Sequence, residues 1–255
     1  MAKKKGHKVT AYYRKLHLQC IQSLEQYLQS GNKEAMHELR VSLKKLDALF
    51  WLANKLLPDF KRRKLYSTYH NLFKRAGIIR DAQVQLELLE TFDKEGDLAA
   101  VSQHLKNEIT DQHQKLVTAA PDLQLQLHKL PITIPPYFNQ IQTKAVAGFT
   151  EKLIKKQEKN WKEVPSKKNL HSSRKPIKHL LYIDDFLLET DKKLLSKKQS
   201  KHWDKLQQRI GDYHDCARLL NILKGSKQKD VTTRIKQHLK GLDKQIAKMA
   251  LKVAA

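Results

Sequence analysis

Cysteine, glycine and proline are all scarce in this chain of 255 residues, which holds two, eight and seven of them. The two cysteines, Cys20 and Cys216, stand almost the whole chain apart. That spacing gives neither a disulfide framework nor a metal-type pair, so a reducing, cytoplasmic setting is expected. Long apolar runs are missing too: no window approaches the roughly eighteen uncharged residues of a membrane helix. The basic start, Met1 to Lys8, runs on into Tyr12, Tyr13, Arg14 and Lys15 without the apolar stretch of a secretory signal. Acidic residues are the last shortage. Twenty-six Asp and Glu face fifty Lys and Arg, leaving a formal charge of +24 and a pI near 9.9. Such an imbalance points to a polyanionic partner.

What is present is helix-forming sequence. Hydrophobic residues make up 40% of the chain, too many for a disordered basic tail. Leu, Lys, Gln, Glu and Ala dominate the runs between the few breakers. Apolar residues recur at three- and four-residue steps over 16–28, 39–57, 65–73, 84–92 and 98–116, which predicts five amphipathic helices. A proline-rich segment, 121–136, then reads as a linker, because each proline removes a backbone donor and pushes its predecessor out of helical geometry. The expected fold is all-α, with a first bundle over 1–120 and a second over 137–255.

The two halves are the same unit repeated at an offset of 134 residues. His37, Arg40, Lys44 and Leu46 recur as His171, Arg174, Lys178 and Leu180, with Lys33 and Lys167 one turn earlier. Lys64, Leu72, Arg75, Gly77 and Asp81 recur as Lys198, Leu206, Arg209, Gly211 and Asp215. A duplication of this kind predicts two similar antiparallel bundles related by a pseudo-twofold axis.

At 100° per residue, Lys33, His37, Arg40 and Lys44 fall within about 60° of one another, as do Lys167, His171, Arg174 and Lys178. Each set makes a cationic ridge roughly 16 Å long, opposite the apolar stripe of Leu39, Leu43, Leu46 and Phe50. Lys45, Lys175 and His179 flank the ridges. A charged helix face is ordinarily a solvated one. Here residue type and phase are kept between the halves, and histidine adds little to solubility at neutral pH, so phosphate binding is the better reading. A ridge of this length suits several charges of a polymer, and the two ridges are expected to face each other across a shared groove.

A second repeated signature is Gly77-Ile78-Ile79-Arg80-Asp81, matched by Gly211-Asp212-Tyr213-His214-Asp215. Each glycine is expected to end a helix in a left-handed cap, which would place Asp81 and Asp215 in the first turn of the next helix. There the carboxylates can orient a neighbouring cation, and Arg80 and His214 are further candidate ligand contacts.

Taken together, His37-Glu-Leu-Arg40 with Lys44 and Lys45, Gly77 to Asp81, His171-Ser-Ser-Arg174 with Lys178, and Gly211 to Asp215 resemble the CHAD family, named for a conserved histidine α-helical domain. The resemblance spans nearly the entire chain. It implies two helical bundles with a basic central groove or pore and binding of inorganic polyphosphate, including association with polyphosphate granules. Departures are Pro176 in place of Ser42, Asp47 and Ala48 where a further arginine is usual, and Leu181 and Tyr182 at the matching place of the second half. The acidic Glu-x-Glu strands of the tunnel triphosphatases that accompany some members have no counterpart, so a stand-alone domain is expected.

Two other functions compete. His171, His214, Asp215 and Asp243 imitate the ligands of a helical metal phosphohydrolase. Arg80 holds the place of His214 in the first half, however, and Arg174 and Lys178 would repel a cation. Nucleic acid would bind non-specifically at low salt, but the ridges carry no aromatic stacking platform, and Trp51 has no aromatic counterpart in the second half. No paired carboxylate or activated nucleophile stands out. The expectation is therefore a non-enzymatic polyphosphate-binding protein needing neither cofactor nor metal.

Overall fold

The computed structural model describes residues 7–163, 165–190, 192–224 and 228–251; the side chains of Lys167, Lys168 and His171 lie outside the description. Its described residues form helices and no strand. In chain order these are α1 (His7–Ser30), α2 (Lys33–Leu56), α3 (Arg62–Leu65), α4 (Ser67–Phe92), α5 (Ala99–Thr133), α6 (Pro135–Phe138), α7 (Thr143–Asn160), α8 (Lys167–Leu188), α9 (Lys197–Ile222) and α10 (Lys229–Leu251). No described helix is long and apolar enough to cross a membrane.

Two compact units share these helices. The first comprises residues 1–81, 107–149 and 185–193, and the second 82–106, 150–184 and 194–255. This division differs from the expected cut at 121–136, since the chain passes from unit to unit within α4, α5, α7 and α8. The proline-rich segment is also helical, not a linker: α5 runs through Pro121 and Pro131. A proline in a helix interior costs about 3 kcal/mol. Leu116, Ala120, Leu123 and Leu127 are buried along the same helix at three- and four-residue steps, and at about 1.5–3 kcal/mol per buried leucine they outweigh that cost. Pro135 and Pro136 open α6, where a missing N–H loses nothing. Pro176 likewise sits inside α8 without ending it.

In the first unit α1 packs on α2, and the core is an aromatic cluster. The Phe50 ring lies 5.2 Å from Tyr66, 5.3 Å from Phe138, 5.6 Å from Tyr69 and 5.7 Å from Phe60. Tyr13 and Tyr69 share a hydroxyl hydrogen bond of 3.1 Å, and Nδ1 of buried His17 lies 2.6 Å from the same Tyr69 hydroxyl. In the second unit α9 packs on α10, with Trp203, Leu206 and Ile210 of α9 and Val231, Ile235 and Ile246 of α10 buried. The cysteines are buried and free. Burial pushes the Cys20 thiol up to about 12 and the Cys216 thiol to about 11, which leaves both unreactive.

Candidate functional site

The first ridge begins where a left-handed glycine turns the chain. Gly31 has φ of +63° and donates its N–H to Tyr27 O, and the side chain of Asn32 then accepts from Glu34 N at 2.7 Å to start α2. Lys33, the first residue of α2, and His37 are exposed, whereas Arg40 and Lys44 are half-buried. The opposite stripe of Leu39, Leu43, Leu46 and Phe50 is fully buried, as the spacing predicts. Lys45 pairs with Asp185 at 3.8 Å. The departure at Asp47 has a structural reason: its carboxylate accepts from Arg62 Nη2 and ties α3 to α2.

Arg40 lies at the centre of this ridge, and it is held. Its Nη1 donates to the carbonyl of Phe73 at 2.8 Å, and the guanidinium rests 4.0 Å over the Phe73 ring. Gly77 makes the approach possible, because a Cβ there would stand 3.1 Å from Arg40 Nη1. The second unit repeats the contact at the same offset of 134 residues. Nε of Arg174 donates to the carbonyl of Gln207 at 2.8 Å, with the Gln207 side-chain oxygen at 3.3 Å where the first unit has the Phe73 ring. A Cβ on Gly211 would stand 2.5 Å from Arg174 Nη2.

The two glycines therefore do not end helices, contrary to expectation. Gly77 is interior to α4, a single helix where two (65–73 and 84–92) are expected, and Gly211 is interior to α9. The left-handed glycines among the described residues are Gly31 and Gly96. Asp81 and Asp215 consequently stand mid-helix and take nothing from a first-turn dipole. Asp215 acts on charge instead. Burial lowers the Arg174 pKa, and Asp215, then Tyr182 and Asp212, oppose that shift, so the guanidinium stays protonated in a partly desolvated place.

Of the remaining candidates, Arg80 and Lys178 are half-buried and Lys175 is exposed. His214 is half-buried, with Nδ1 3.5 Å from the Asp215 carboxylate. His179 is corrected: it is 5% exposed, so its ring faces the packed side of α8 and does not flank the ridge. The phase of α8 decides this, since Ile177, Leu180 and Ile183 carry the buried stripe around it. Lys167 and His171 lie on α8, but their side chains fall outside the described residues. Among the described residues no three His, Cys, Asp or Glu side chains converge as metal ligands would.

The Phe73 and Gln207 carbonyls are the arginine partners that sequence reading missed. Backbone oxygens leave no trace in composition, although the glycine four residues after each was the available signal.

Comparison with known proteins fits this geometry. No curated protein matches the chain. A crystal structure of the CHAD domain from the plant Ricinus communis superposes with a TM-score of 0.68 at 16% identity, over 97% of this chain and 88% of that one. That likeness shows a shared fold. The CHAD domain family model matches residues 13–224, which include α2, α4, α8 and α9 with both arginine–glycine contacts, and the chain belongs to the CHAD domain family.

Proposed function

We propose that this protein binds inorganic polyphosphate through the cationic faces of α2 and α8 and does not turn it over. The observation that carries the reading is the arginine held at the middle of each face, Arg40 on the Phe73 carbonyl and Arg174 on the Gln207 carbonyl. A guanidinium tethered in this way has little rotamer freedom left to lose on binding, and its planar geometry suits phosphate oxygens. Net charge of +24 supplies long-range attraction. The CHAD family is polyphosphate-related in general terms, and the match over residues 13–224 brings that association to this chain.

The test is competition at physiological salt between long-chain polyphosphate and single- or double-stranded DNA, on the wild type and four variants. Arg40→Ala or Arg174→Ala is expected to weaken polyphosphate binding by about 1–3 kcal/mol, the range for charge-assisted hydrogen bonds. Arg40→Lys, which keeps the charge and loses the planar fork, should recover part of that loss. Replacing Lys3 and Lys4 by Ala should cost much less. Equal loss from tail and ridge variants, or stronger binding to DNA than to polyphosphate, overturns the reading.

A further inference from the structure

The outer face of α5 departs from the rest of this basic protein in both polarity and charge. Leu116, Ala120, Leu123 and Leu127 are buried along one side of the helix. On the opposite side Pro121, Leu125 and Ile132 fall within about 40° of one another at 100° per residue, with Val117 at the edge of the row. All four are exposed, Leu125 by 59% and Ile132 by 80%. The row is about 22 Å long at 1.5 Å per residue. Single exposed leucines are ordinary on a protein surface, whereas an apolar row along a helix marks a place for a partner.

Charge says what that partner is. Residues 16–30 and 107–133, most of α1 and α5, carry four carboxylates and two lysines, in a chain that sets 50 Lys and Arg against 26 Asp and Glu. The two helices are neighbours, with the Tyr27 and His113 rings 5.2 Å apart. Two copies of a +24 chain repel one another, and a face on which carboxylates outnumber lysines is where they can meet.

The charges bordering the row are also self-complementary. Asp122 lies about 4.5 Å before Leu125 along the helix axis and Lys129 about 6 Å after it, on the same flank. Both are exposed, and neither forms an ion pair among the described residues. At about 10.5 Å along the axis they are too far apart to pair with each other. A twofold axis through Leu125 that sets two α5 helices antiparallel brings Asp122 of each copy opposite Lys129 of the other, and Ile132 opposite Thr118.

We propose that this protein forms a twofold dimer through the outer face of α5, with Leu125 on the axis and two Asp122–Lys129 pairs across it. The contact uses neither cationic ridge and does not rest on the polyphosphate reading. A foreign basic segment would satisfy Asp122 and leave Lys129 facing like charge; a second copy satisfies both.

Sedimentation equilibrium at physiological salt, with no polyanion added, should show a monomer–dimer equilibrium in the wild type. Leu125→Lys with Ile132→Lys should weaken it about tenfold or more. Leu251→Lys, which charges a leucine of α10 that is 63% exposed, should leave it within about twofold. Charge reversal reads the pairing itself. Asp122→Lys and Lys129→Asp each set like charges opposite one another and should each weaken the dimer, while an equimolar mixture of the two variants should associate as tightly as the wild type. Circular dichroism establishes that the variants compared are folded, and the reversed pair tests the contact even if the double lysine variant is not. A wild type that stays monomeric up to the highest concentration reached, a dimer indifferent to Leu125 and Ile132, or a mixture no tighter than either reversed variant alone overturns the proposal.

Discussion

The arginine–glycine pairs show how a single missing Cβ sets the position of a charge. Inside a helix, Gly→Ala ordinarily gains about 1 kcal/mol. At Gly77 the new Cβ would meet Arg40 Nη1 at 3.1 Å, a contact that a shift of a few tenths of an ångström relieves, so Gly77→Ala should be close to neutral in stability. At Gly211 it would meet Nη2 at 2.5 Å and Cζ at 2.8 Å. The Arg174 guanidinium must then move, breaking its bond to the Gln207 carbonyl. Loss of such a bond costs about 1–3 kcal/mol and cancels the helix gain. Chemical denaturation should find Gly211→Ala less stable than Gly77→Ala by about 1–2 kcal/mol, and only Gly211→Ala should bind polyphosphate as weakly as Arg174→Ala. A second residue-scale effect is His17. Burial, reinforced by His128, lowers its pKa from 6.5 to about 4. Below about pH 6.5 the unfolded chain takes up a proton that the folded one refuses. His17 therefore costs nothing at neutral pH, and stability falls as pH drops from about 6.5 towards 4, by up to about 3 kcal/mol. Denaturant midpoints across that range should decline in the wild type and decline less in His17→Asn, which keeps an acceptor for Tyr69 and cannot charge.

Among the elements, α2 carries the most, since one face holds the core and the other holds the ridge. Its first turn depends on Asn32, whose side chain accepts from Glu34 N. Asn32→Ala should cost about 1 kcal/mol, and Asn32→Gly only a few tenths. Amide exchange should speed up in the first turn of α2, around Lys33, before the rest of the helix. The helices were legible in the sequence wherever apolar periodicity was unbroken, as in the stripe from Leu39 to Phe50. They were misread at α4 and α5. Gly77 and Pro121 look like breakers because local propensity is against them, yet Leu72, Ala76, Ile79 and Ala82 in one helix, and Leu116, Ala120, Leu123 and Leu127 in the other, are buried. Packing of those rows exceeds a local penalty of about 1–3 kcal/mol.

Across the whole molecule, +24 charges oppose compaction, and a polyanion that binds the folded state relieves that repulsion. Long-chain polyphosphate should therefore raise the melting temperature of the wild type, by less in the Arg40→Ala, Arg174→Ala double variant, and the rise should shrink as salt increases. A melting temperature unmoved by saturating polymer counts against the ridge reading. The sequence alone determined the all-α class, the buried stripe of α2 and the family, because side-chain type and spacing carry those properties directly. Only the tertiary structure decided that Gly77 and Gly211 seat arginines instead of capping helices, that His179 is buried, and that residues 121–136 are largely helical. Each of those outcomes depends on what a neighbouring helix brings to within a few ångströms, such as a backbone carbonyl, a ring or an apolar row, and no local pattern of residues records that proximity.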